Sequence, residues 1–166
     1  DNLLPEGGIR HALARAASLD QRDTFALLAR YGEESAGALT LIPPDAAPPA
    51  REGYRELSVD ELRALIRNLP TLPLIAAGGR AKMSLAGAQH KLPVRYDGER
   101  FWLPQGGATS HILKPENART GEFPFCPANE HFSMSLARAV GLPAPETRLL
   151  RLPEPAYLVA RYDRAH

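Results

Sequence analysis

Across 166 residues, 20 lysines and arginines stand against 19 aspartates and glutamates, a formal charge of +1, so no overall field recruits nucleic acid or an anionic membrane and any anion site must be local. The length allows one substantial core or two small ones. A single cysteine, Cys126, excludes an internal disulfide, and no apolar run approaches the roughly 18 residues of a membrane span, which fits a reducing, cytoplasmic setting. The opening Asp1-Asn2-Leu3-Leu4-Pro5 carries neither an initiator Met nor a signal pattern, so the chain is expected to be a fragment of a longer protein.

In chain order, Gly8 to Leu19 sets Ile9, Leu13, Ala16 and Ala17 at helical spacing. Asp20 to Tyr31 does the same with Phe25, Leu28 and Ala29, with Asp20 as the expected cap and Gly32 as the stop. These two helices are expected to pack on each other and on a strand at Ala38 to Ile42. Pro43 to Pro49 holds four prolines in seven residues and is the best linker candidate. Ser58 and Glu61 form a capping box that opens a helix through Leu62, Leu65, Ile66 and Leu69, closed by Pro70.

From Lys91 the pattern turns to strands. Leu92 to Tyr96 and Glu99 to Leu103 flank Asp97-Gly98, a strong hairpin signal. His111 to Lys114 is a further strand. A helix over about Ala128 to Val140 groups Phe132, Leu136 and Ala139 or Val140 on one face, with Gly141 as its stop. Thr147 to Leu152 and Ala156 to Tyr162 are expected strands around Pro153-Glu154-Pro155. The fold class expected is α+β: a small helical amino-terminal subdomain followed by an antiparallel sheet with one packed helix.

Two segments carry chemistry. In Ser84-Leu85-Ala86-Gly87-Ala88-Gln89-His90-Lys91 the small residues allow close backbone approach, and successive N–H groups in a tight turn form an anion-binding nest. Between Arg80 and Lys114 six basic residues face two acidic ones, so a local charge of +4 surrounds this turn. By itself the turn also fits a plain loop, since neither G-x-x-x-x-G-K-[ST] nor G-x-G-x-x-G occurs. The second segment is Thr109 to Lys114, an apolar strand ending in a lysine, with Glu130 at the start of the next helix where a partner for that lysine would stand. Taken singly, these two are more often a solvated strand-end lysine and a glutamate favoured at a helix N-terminus. His11, His111 and His131 have no metal-like spacing with Cys126, and no metal site is expected.

Ser84 to Leu92, Thr109 to Pro115, Asn129-Glu130 and Arg161 to Arg164 together resemble, in order and spacing, the kinases of the HipA family. Asp1 to Gly7 and Gly37 to Pro43 resemble that family's amino-terminal subdomain. The resemblance implies a remainder of that subdomain over 1–49, a connecting helix and glycine-rich phosphate-binding loop over 50–90, and a kinase N-lobe-like part up to the hinge over 91–166. It implies ATP-dependent serine phosphorylation with Mg2+ in the parent protein, with Ala86, Gly87, Ala88, Gln89, His90 and Lys91 as the phosphate-binding loop. Lys114 would be the nucleotide lysine, Glu130 its partner, Ala160, Arg161 and Tyr162 the hinge beside adenine, and Ser84 an autophosphorylated serine.

A phosphoserine beside a loop shaped for the nucleotide's phosphates would exclude them. The family's Asp-Gly-His-x-x-Asn loop is missing, so no catalytic residue is expected in this fragment, which is expected to be inactive. The implied partners are a HipB-like helix-turn-helix antitoxin, operator DNA only through that antitoxin, and a protein substrate such as an aminoacyl-tRNA synthetase. The competing reading is an interaction module that docks the antitoxin.

Overall fold

The computed structural model describes residues 3–32, 41, 43–45, 47, 53–69, 89–116, 123–152 and 154–163. The expected strand at Ala38 to Ile42 lies outside them except for Leu41, as do Ala46, Pro48 and Pro49 of the proline segment, Pro70 and the turn from Ser84 to Ala88.

Near the amino terminus, α1 (Gly7–Ala16) and α2 (Thr24–Tyr31) pack on each other. Leu4, Leu13, Ala14, Leu27 and Tyr31 form their shared core. The Tyr31 hydroxyl donates to the Leu13 carbonyl at 2.9 Å, which satisfies the one polar atom that this core takes in. Two expectations change. The cap of α2 is Asp23, whose carboxylate accepts from Ala26 N–H at 2.9 Å, whereas Asp20 is drawn off by Arg22, to which it is hydrogen-bonded twice through the side chain. Phe25 is 82% exposed, because the face turned to α1 is that of Leu27 and Tyr31. Gly32 ends the helix as expected: a Cβ there would lie 2.6 Å from the Leu28 carbonyl and 2.9 Å from the Leu41 side chain.

The remaining elements build one antiparallel sheet of six strands in the order β1-β3-β2-β4-β6-β5. They are β1 (Tyr54–Leu57), β2 (Leu92–Tyr96), β3 (Phe101–Pro104), β4 (His111–Pro115), β5 (Thr147–Arg151) and β6 (Pro155–Ala160). No strand was expected over 54–57, since Tyr-Arg-Glu-Leu has little apolar alternation. It is an edge strand held by its pairing with β3, Tyr54 opposite Pro104 and Leu57 opposite Phe101. The Asp97-Gly98 hairpin forms as expected, with Gly98 at φ +109 and Asp97 Oδ1 accepting from the backbone N–H of Glu99 and Arg100 at 3.0 and 2.8 Å.

The helix α3 (Val59–Asn68) begins in the expected capping box, with Glu61 N–H on Ser58 Oγ and Ser58 N–H on Glu61 Oε2. It lays Leu62, Ile66 and Leu69 on one face of the sheet, onto Leu57, Leu92, Val94, Leu103, Leu113, Ala156 and Leu158. The other helix, α4 (Cys126–Ala139), runs beside β5 and β6. Its expected apolar face does not face the sheet: Phe132, Leu136 and Val140 are 67, 52 and 65% exposed. The reason is chemical. That part of the sheet presents Lys114 and Thr147, so α4 turns Glu130, His131 and Arg138 toward it, with His131 Nδ1 3.0 Å and Arg138 Nη2 3.4 Å from Thr147 Oγ1.

The burial difference gives a paired expectation. Leu113→Ala should lower unfolding free energy by about 2–5 kcal/mol through the cavity it leaves. Phe132→Ser should change it by no more than about 0.5 kcal/mol. Chemical denaturation of the two variants reads both. The Asp97 carboxyl lies below its ordinary range because the backbone N–H groups of Arg100 and then Glu99 bond its charged form. Its contribution is therefore present above the unfolded value of 3.8 and lost as pH falls through the lower folded value. Asp97→Asn should flatten that part of the acid-unfolding curve.

Candidate active site: a lysine cleft between the sheet and its second helix

Side chains alternate across a strand, and antiparallel partners share a face. In β4 and β6 this sorts the residues sharply. Leu113 and its partner Leu158 point into the core under α3, while Ile112 with Val159 and Lys114 with Tyr157 point to the opposite face, toward α4. Between that face and α4 lies a cleft of about 680 Å³, within the usual range of ligand pockets.

Lys114 stands in the cleft with its ammonium 2.5 Å from Glu130 Oε2, joining β4 to the first turns of α4. The pair is only partly exposed, 20% and 31% by side chain, so salt screens it less than a fully exposed ion pair. The same ammonium lies 5.5 Å from the centre of the Tyr157 ring. Tyr157 is 2% exposed, and burial, seconded by the Glu130 carboxylate, pushes its hydroxyl up to about 12, so it stays protonated.

Lys91, the last residue of the expected phosphate-binding loop, lines the same cleft. Burial first and the Lys114 charge second push its amine below the ordinary lysine value, against the opposing pull of Glu130 and Glu6. Gln89 and His90 precede it. The His90 imidazole is lowered by burial, and the Gln89 amide nitrogen is buried with no hydrogen-bond partner among the described residues. Ser84, Ala86, Gly87 and Ala88 lie outside the described residues.

Ala160, Arg161 and Tyr162 close one end of the cleft. The backbone N–H of Ala160 donates to Glu146 O and that of Arg161 to Ser110 O, each at 2.9 Å. Arg161 is 3% exposed, and its guanidinium holds Asp163 through Nε at 2.9 Å and Nη2 at 2.6 Å, while Nη1 reaches Thr109 Oγ1 at 2.7 Å. The side chain thus ties the strand end to the chain on either side of it, and Tyr162 is left exposed at the rim. Asp163 lines the cleft but is committed to Arg161.

Among the described residues no group of three or more His, Cys, Asp or Glu is placed to hold a metal ion, and no helix is long and apolar enough to cross a membrane. Sequence reasoning singled out Lys91, Lys114, Glu130 and residues 160–162, which the structure brings to one cleft. It missed Tyr157, Ile112, Val159, Ser133 and Met134. Their membership depends on strand register and on the rotation of α4, which no local pattern announces.

The Arg161 contacts yield a stability expectation. Asp163→Ala would leave a buried guanidinium without its carboxylate and should cost about 3–5 kcal/mol by thermal or chemical unfolding.

Comparison with known proteins bears on this geometry. Residues 83–166 match the model of the HipA-like C-terminal domain, and residues 1–42 that of the HipA N-terminal domain. The chain is 41% identical over 169 residues to Y4mE of Sinorhizobium fredii, covering 98% of this chain and 40% of that protein. It is 29% identical to the serine/threonine-protein kinase toxin HipA of Shewanella oneidensis, covering 98% of this chain and 37% of that one. It therefore spans two fifths or less of these relatives' length. A solved complex of the Shewanella oneidensis toxin–antitoxin proteins HipA and HipB with operator DNA aligns over 99% of this chain and 38% of that one, with a TM-score of 0.76 and 28% identity. With residues 1–42 and 83–166 matched by the two HipA models and nearly the whole chain aligned with these relatives, the chain belongs to the HipA family.

Proposed function

We propose that this chain forms the nucleotide-binding part of a HipA-type kinase, which transfers the γ-phosphoryl group of ATP to serine on a protein and phosphorylates itself on Ser84. The observation that carries the reading is the Lys114–Glu130 pair set in a cleft that also takes in Lys91 and residues 160–162. In kinases a strand lysine held by a helix glutamate orients the nucleotide phosphates.

The residues present fit a nucleotide. Ile112, Val159 and Met134 give the cleft apolar walls against which a purine ring packs, beside the chain at 160–162. Lys114 and Lys91 give it two cationic groups for phosphate oxygens. Glu130 holds the Lys114 ammonium in one place, so little ordering is required when phosphate arrives. Magnesium–ATP, when bound, supplies the transferred phosphoryl group and neutralises its charge. The aspartate and asparagine that position metal and acceptor come, in this reading, from the part of the relatives that this chain does not span, and this chain by itself is inactive and a weak nucleotide binder.

Lys114→Ala should abolish serine phosphorylation in the full-length parent and remove ATP binding in calorimetric titration, and retained activity would refute the assignment. Lys91 adds a pH dependence. Phosphate favours its charged form, so affinity should be full below the amine's depressed folded value and fall as pH rises through it, at a pH below the ordinary 10.5. In that window ATP binding should take up protons, visible as a binding heat that varies with the ionisation enthalpy of the buffer.

A second reading, a module that docks a helix-turn-helix antitoxin, is favoured by the solved neighbour, a HipA–HipB–DNA complex. With a formal charge of +1, DNA contact would come through the antitoxin. Co-purification with the antitoxin without any ATP-dependent change in the chain would support the module alone.

A further inference from the structure

The Lys114 ammonium has two neighbours, and the kinase reading uses only one of them. Glu130 approaches from α4 at 2.5 Å. The second neighbour is Tyr157, directly opposite Lys114 in the β4–β6 register, with its ring centre 5.5 Å from the ammonium. The ring is almost wholly buried and lines the cleft, so its position is set by the sheet and not by solvent. Its hydroxyl, raised to about 12, stays neutral at any pH at which the protein works.

The geometry points to Tyr157 as a positioning residue for the phosphate-binding lysine, acting through the face of its ring. An ammonium over an aromatic face is attracted by the ring's quadrupole. The attraction has a consequence that a second carboxylate would not. Two carboxylates would cancel the lysine's charge and repel incoming phosphate, whereas a neutral ring steadies the ammonium and leaves its charge for the ligand. Glu130 and Tyr157 then hold the ammonium from helix and strand together, and the lysine keeps its aim if the glutamate moves. The second lysine of the cleft, Lys91, makes this useful: its charge is felt at Lys114, and a flexible Lys114 would swing away from it.

This inference rests on the nucleotide-binding reading, and the test separates the two. Tyr157→Phe keeps the ring, and pentafluorophenylalanine at the same position keeps its shape while reversing its quadrupole, so both are expected to fold. The readouts, taken in the full-length parent, are ATP and adenosine affinity by titration, and the side-chain resonances of Lys114, which an adjacent ring face shifts upfield. Tyr157→Phe should match the wild type within about twofold. The fluorinated variant should bind ATP roughly three- to thirtyfold more weakly, bind adenosine unchanged, and lose the upfield shift. A purely structural role would weaken both ligands together or neither. Equal loss in Tyr157→Phe and the fluorinated chain would assign the effect to the hydroxyl and overturn the proposal, as would an unshifted Lys114 resonance in the wild type. Should the wild type bind no ATP at all, the nucleotide reading falls, and the Lys114 resonances in the three chains still decide whether the ring holds the ammonium.

Discussion

The alternation of side chains across β4 and β6 is the constraint on which the rest of the structure depends. One set of residues, Leu113, Ala156 and Leu158, meets α3 and closes the core. The other set, Ile112, Lys114, Tyr157 and Val159, is turned to α4 and walls the cleft. A slip of one residue in the pairing would exchange the sets and drive the Lys114 ammonium beneath α3 while exposing Leu113 and Leu158. The register that buries the leucines is therefore the register that presents the lysine, and core and site share a single cause.

Within the cleft, charge is handled at two levels of burial. Lys114 and Glu130 are partly exposed, at 20% and 31% of their side chains, and line the cleft. Arg161 and Asp163 are deeper, and their bidentate contact, with Thr109 on the third donor, is a strut and not a binding group. The distinction is visible in geometry alone. A cation whose fork is filled on every side holds protein together, and one held from two directions is available for a third. Lys91 lies between these cases, its amine pushed below the ordinary lysine value by burial and then by its cationic neighbour.

Helix α4 is the element where local pattern and tertiary role part. Its apolar stripe of Phe132, Leu136 and Val140 is exposed, and its polar side grips the sheet through Glu130, His131 and Arg138. The polar side is determined by what the sheet offers there, a lysine and a threonine. Asn129 and Ser133, next to Phe132 along the helix, line the cleft. The chain spans two fifths or less of its relatives' length.

The sequence by itself determined the elements whose signals are local. The capping box at Ser58 and Glu61, the hairpin at Asp97-Gly98, the stops at Gly32 and Gly141, and the strand ending in Lys114 are each written in a few adjacent residues, because capping, turn and strand preferences act over that range. The expected pairing of Lys114 with Glu130, two residues that no local rule connects, came from the strand-lysine and helix-glutamate arrangement of kinases and gained weight from the ordered likeness to the HipA family. Only the tertiary structure decided the rest. Asp23 caps α2 because Asp20 is bonded to Arg22, β1 is a strand because β3 pairs with it, and Tyr157 lies against Lys114 because the β4–β6 register sets them opposite. Each of these depends on a competition or a pairing between distant groups, and periodicity along one segment carries no information about its partner.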